Sequence, residues 1–205
     1  MIQELIDTFE DLKKKKYFID MGKGGLILIE FNDENFYHLA GLHKVDLSIY
    51  FPKGCISKEK QYKYIKTHVN KFEKVLLNKI KENRLLTQRI KTFKYIPDIF
   101  KNVGVNLYNV KENKQAMSLY NGDYALSKTY QEIQKNGKVK SIYCVLGLKN
   151  QKSVSKNFLC APQSWMASDR PNSLIEYKKP LYISAITAIP TEIAQLKTLT
   201  TSNRI

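Results

Sequence analysis

Two of the chain's three histidines stand in one short segment, Asn35-Phe36-Tyr37-His38-Leu39-Ala40-Gly41-Leu42-His43-Lys44. Imidazole, ammonium and phenol groups are thus gathered within ten residues, and imidazole is the side chain that ordinarily exchanges protons near neutral pH. Gly41 allows backbone to come close to a ligand. The competing reading is a hydrogen-bonded structural His38 in an otherwise apolar stretch. A second chemical cluster lies in Tyr124-Ala125-Leu126-Ser127-Lys128-Thr129-Tyr130, where strand alternation puts Tyr124, Leu126, Lys128 and Tyr130 on one face and Ser127 and Thr129 on the other. A lysine flanked by tyrosines suits a phosphate with bases stacked on the rings, against the plainer reading of a solvated strand face. The third cluster, Pro162 to Arg170, reads as a loop in which Ser164 and Arg170 hold an anion while the sole tryptophan, Trp165, stacks. The alternative there is a tryptophan that closes the core.

Other chemistries lack their residue patterns. Gly22-Lys23-Gly24-Gly25 does not have the spacing of a phosphate loop. No paired histidine or carboxylate spacing indicates a metal site, and no cofactor is expected. Ser164 has no nucleophile-elbow context. His68 falls on the margin of an apolar helical stripe and reads as a surface or packing residue.

The elements that must carry these groups follow from periodicity. Ile2, Leu5, Ile6, Phe9 and Leu12 recur at helical spacing, and the segment ends in Lys13 to Lys16, which suits a helix C-terminus. YFIDM and LILIEF flank the glycine-rich turn and read as a β-hairpin. Tyr62, Ile65, Val69, Phe72 and Leu76 predict one long helix from Ser57 to about Lys81, with Lys60, Lys63, Lys71 and Lys74 on a separate stripe. A second helical pattern after Arg84 is bent or broken before Pro97. After Gly104, short β-branched and aromatic runs separated by Asn121-Gly122 and Asn136-Gly137 predict hairpins and meanders, and TEIAQLKTL predicts a terminal helix before a frayed end. The expected fold class is α+β: a single domain over residues 1–205, with N-terminal helices and a basic helical segment at about 56–102 packed on a mainly antiparallel β-sheet.

Thirty-four Lys and Arg against nineteen Asp and Glu leave a net charge of +15. Between Lys53 and Lys101 there are fourteen Lys and Arg against four Asp and Glu, so two-thirds of the excess lies in the helical quarter. Such a field attracts phosphate polymers, although a Lys-rich proteome gives the same composition. Three well-separated cysteines, Cys55, Cys144 and Cys160, point to reduced thiols and a cytoplasmic setting. The N-terminus has no continuous apolar run, so neither a signal peptide nor a membrane partner is expected.

The run FNDENFYHLAGLHK after LILIEF resembles the opening of a phage-associated nuclease-like family of the Barnase, EndoU, colicin E5/D and RelE group, the fourth such phage family. The likeness is strongest over residues 24–44 and looser through DYALSKTY, YCVLGLKN and CAPQSW. It implies helices packed on an antiparallel sheet and metal-independent RNA cleavage. That reaction needs a base for the 2′-hydroxyl proton, an acid for the leaving oxygen and cationic groups around the phosphorane. His38 fits acid or base, while His43, Lys44 and Lys128 fit the second role; the sequence leaves the assignment open.

Two functions follow. One is an endoribonuclease-like protein, a phage- or prophage-encoded toxin or effector, acting on single-stranded or structured RNA and silenced by an acidic antitoxin or immunity protein. The other is a noncatalytic nucleic-acid-binding or phage-interaction module. In both, Lys60, Lys63, Lys71 and Lys74 widen the phosphate footprint.

Overall fold

Helix α1 (Ile2–Lys13) turns its i, i+3, i+4 stripe inward and buries Ile2, Leu5, Ile6, Phe9 and Leu12. The computed structural model that shows this describes residues 1–101, 103–110, 122–169 and 180–192. Arg170, Asn121 of the expected Asn121-Gly122 turn, the terminal helix after Glu192 and the TTSNRI end lie outside the described residues.

Strands β1 (Lys15–Asp20) and β2 (Leu26–Ile29) form the expected hairpin, with Tyr17 opposite Ile29 and Asp20 opposite Leu26. Gly25 has φ 101°, and a Cβ there would collide with the Lys156 carbonyl, so a side chain is excluded on both counts. Next come α2 (Asp33–Leu39), α3 (Lys58–Thr67), α4 (Val69–Glu82) and α5 (Arg84–Thr92). The remaining strands are β3 (Val105–Asn109), β4 (Tyr124–Ile133), β5 (Val139–Val154), β6 (Asn157–Ser168) and β7 (Ala185–Pro190). They form one sheet in the order β3-β4-β5-β6-β2-β1-β7. Only the β2–β6 pairing is parallel among the described strands, so the α+β class and mainly antiparallel sheet hold.

Two local expectations are corrected. The single helix over Ser57 to Lys81 is two helices, because His68 leaves helical geometry at φ −127° and ψ 40°. Side chains take over the last carbonyls of α3: the Thr67 hydroxyl lies 3.1 Å from the Tyr64 carbonyl, and His68 Nδ1 lies 3.0 Å from that same oxygen. The His68 ring stacks on Tyr64 at 4.0 Å, so it is an exposed packing residue. The Pro162 segment is strand through Ser168 rather than loop. Pro162 is tolerated because the β5–β6 register shifts there, leaving Gln163 as the extra residue where the ladder is interrupted.

The helices pack through aromatic edges. Phe9 meets Phe36 and Tyr62 edge-on, each at 5.3 Å, and Phe36 reaches Phe93 at 6.1 Å. These fully buried rings join α1, α2, α3 and the turn after α5 into one core with Trp165 of β6. Removing such a ring costs about 3–5 kcal/mol. Among the described residues, no helix is long and apolar enough to cross a membrane.

Candidate active site

Asn35 sets α2 in place. Its side-chain oxygen accepts the Asn32 backbone N–H at 2.6 Å, and its amide donates to the Pro162 carbonyl at 3.1 Å, tying the start of the helix to the irregular step of β6. His38 therefore emerges from a docked helix. Gly41 then takes a left-handed φ of 77° and turns the chain back. The His38 and His43 rings come to 5.0 Å between centroids. A side chain at position 41 would press on Arg89 Cδ at 2.9 Å, so glycine also makes room for the arginine from α5.

Two further cations complete the cluster. Lys58, the first residue of α3, hydrogen-bonds His38 Nε2, and Arg89 Nη1 lies 3.5 Å from the His38 carbonyl. An ammonium can only donate, so in this contact Nε2 offers its lone pair and the neutral ring carries its proton on Nδ1. The Tyr37 backbone raises the proton affinity of the His43 ring and so opposes the surrounding cations.

Burial first, and then Lys58, hold the His38 pKa below its ordinary value, with Glu34 the opposing influence and Arg89 adding to the depression. His43 is pushed down to about 4 by partial desolvation, then by His38, Arg89 and Lys44. Both imidazoles are consequently neutral near pH 7 and sit among positive charges. A cationic setting of this kind favours an anion electrostatically, and an anion there would return proton affinity to the rings.

The other anticipated site residues are distributed elsewhere. Lys44 is exposed beside His43. Lys128 donates to the Asp98 carbonyl at 3.1 Å and lies 5.5 Å above the Tyr130 ring, so it secures the turn over β4. Tyr124 packs on Phe158 at 5.4 Å, and Ser127 is buried on the opposite face of the strand. Ser164 points its hydroxyl into the space left by Gly147. Trp165 is fully buried, and its indole N–H donates to Thr92 Oγ1 at 3.1 Å. That ring is a core ring tying α5 to β6, so its contribution to the site is to hold the helix that bears Arg89. Lys63 pairs with Glu59 at 2.5 Å, and Lys71 donates to the Tyr50 carbonyl at 2.8 Å. Lys60 and Lys74 are exposed and make no ion pair with a described residue.

Lys58 and Arg89 were not anticipated from the sequence as site residues. Both lie in the basic segment, but only the packing of α3 on α2 and the reach of Arg89 from α5 to the His38 carbonyl select them from its fourteen cations. Among the described residues, no group of three His, Cys, Asp or Glu is placed to hold a metal ion.

A family model described as phage-Barnase-EndoU-ColicinE5/D-RelE like nuclease4 matches residues 1–201. The chain belongs to this family. Comparisons with curated proteins and with solved structures gave no match. Membership of the phage Barnase-EndoU-ColicinE5/D-RelE-like nuclease family supports a nuclease-type function and extends the likeness well beyond residues 24–44.

Proposed function

We propose that the protein is a metal-independent endoribonuclease whose centre is the pair His38 and His43, flanked by Lys58, Arg89 and Lys44. The observation that carries this reading is the 5.0 Å approach of two neutral imidazoles inside a cationic rim. A neutral His43 can take the 2′-hydroxyl proton on a ring nitrogen. Lys58 and Arg89 balance the charge that builds on the phosphorane oxygens. Once phosphate draws Lys58 away, His38 takes up a proton and delivers it to the leaving 5′-oxygen. The products are a 2′,3′-cyclic phosphate and a free 5′-hydroxyl.

The charge of +15 also suits an acidic antitoxin or immunity protein, and family membership suits a phage-associated toxin or effector. The test is cleavage of end-labelled RNAs in chelator by the wild type, His38→Ala and His43→Ala, with folding checked by circular dichroism. Cyclic-phosphate ends from the wild type and loss of cutting in folded variants are expected. RNA binding with no cutting under any condition would instead establish a noncatalytic binding module.

A further inference from the structure

Helix α5 has three faces. Leu86 and Ile90 enter the core, and Arg89 reaches α2. Arg84, Thr87, Gln88 and Lys91, at i, i+3, i+4 and i+7, line a groove of about 470 Å³ whose far wall includes Lys140 of β5. Glu132, on the same wall, is engaged by the Tyr95 hydroxyl. At the groove's edge, Arg84 Nη2 and Lys140 Nζ converge on one oxygen, Asp169 Oδ2, at 3.5 and 3.0 Å. A carboxylate oxygen shared by a guanidinium and an ammonium has the arrangement in which phosphate oxygens are bound. Arg84 and Arg89 lie on one helix, roughly 7.5 Å apart along its axis.

We infer that this groove is a second phosphate subsite for a single-stranded RNA whose scissile phosphate lies at the histidine pair, and that Asp169 occupies the phosphate's place in the free protein. The inference rests on the ribonuclease reading for the position of the scissile phosphate. α5 is then the bridge the strand crosses, with Arg89 facing the reacting phosphate and Arg84 and Lys140 facing its neighbour. Gln88 offers an amide to a base beside that neighbour. The volume falls within the usual range of small-ligand sites, about 300–1,000 Å³.

The test uses the full chain with His43→Ala, so that substrate survives, and measures anisotropy of a labelled single-stranded RNA of about ten nucleotides and of a dinucleotide. Arg84→Glu with Lys140→Glu should weaken the longer RNA at least tenfold and flatten its salt dependence by about 0.7 log units, the loss of one neutralised phosphate on a single strand. The dinucleotide, too short to reach the groove, should change less than twofold. Asp169→Asn should tighten the longer RNA severalfold, and this opposite sign keeps the test decisive if the double variant fails to fold. Unchanged affinity and slope in a folded double variant, weaker binding by Asp169→Asn, or equal binding of a polyglutamate peptide would overturn the subsite. Failure of the wild type to cut any RNA removes the ribonuclease reading alone, since the binding arms still report whether the groove holds a strand.

Discussion

At its N-terminal end α2 presents Asp33 to Lys13, whose ammonium also meets Glu10 at 3.0 Å; at its C-terminal end it presents His38 to Lys58 and Arg89. The first end is a closed account of charges: Glu10 accepts from the Tyr62 hydroxyl at 2.5 Å and pairs with Lys66 at 3.1 Å. Burial alone would raise the Glu10 pKa, but Tyr62, Lys13 and Lys66 together bring it down to about 2. At the second end Lys58, Arg89 and Lys44 depress the proton affinity of the rings, and Glu34 opposes them at His38. Compensated charge holds the helices together, whereas cations gathered beside two imidazoles lower the proton affinity of the rings and favour an incoming anion.

The largest effect that sharpens this contrast is on catalysis. His43→Ala and His38→Ala should each lower the RNA cleavage rate by about 10²–10⁴-fold, the usual loss on removing a general acid or base, in single-turnover assays. The buried Asn35 separates placement from chemistry: Asn35→Ala should reduce cleavage and thermal stability together. A histidine variant that is folded and fully active would remove the pair from the mechanism.

The compensated end should fail in stability instead. Glu10→Gln is expected to cost on the order of 2 kcal/mol at pH 7 in urea unfolding, with RNA cleavage at matched folded fraction unaltered. Because the folded carboxyl has a depressed pKa, its contribution is present above about pH 4.5, the unfolded value, and declines as pH falls toward 2. The wild type and variant should therefore converge in acid. A gap that stays constant with pH would mean that Glu10 acts through packing.

The histidine end has the same sign over a different window. His43 binds fewer protons folded than unfolded between about pH 4 and its ordinary 6.5, so stability there should decline as pH falls through that range. Anionic ligand should reverse the trend, with oligonucleotide affinity rising as pH drops from 7 toward 5. Lys58→Met should move the His38 pKa upward, because the ammonium that depresses it is gone. Imidazole NMR titration reads the shift directly, and an unmoved His38 would show the contact to be incidental.

The smallest effect is expected on the outer helices. Replacing Lys60 and Lys74 with Gln should flatten the salt dependence of RNA binding by about 0.7 log units per lysine that contacts phosphate. Adding Lys63→Gln and Lys71→Gln should change the slope less, since those ammonium groups already serve Glu59 and the Tyr50 carbonyl. Equal contributions from all four would show that the internal partners yield to RNA without cost.

Periodicity and alternation made α1, the β1–β2 hairpin and most of the sheet readable, because those patterns are set by which side chains lie three, four or two positions apart. The break at His68 was not readable, since it depends on Thr67 and His68 competing for carbonyls within a stretch whose apolar spacing continues unbroken. The strand at Pro162 was masked by a proline that only a register shift tolerates. For the site, the sequence by itself placed His38, His43 and Lys44 in one segment with a glycine between them, because nearness along the chain enforces nearness in space. It also supplied an excess of cations without ranking them. Tertiary structure decided the rest: α3 and α5 bring Lys58 and Arg89 to those rings, while Lys128 and Trp165 are drawn into the support of β4 and the core. The physical reason is that contacts between positions 38, 58 and 89 depend on how buried aromatic faces pack, and local spacing carries no record of that packing.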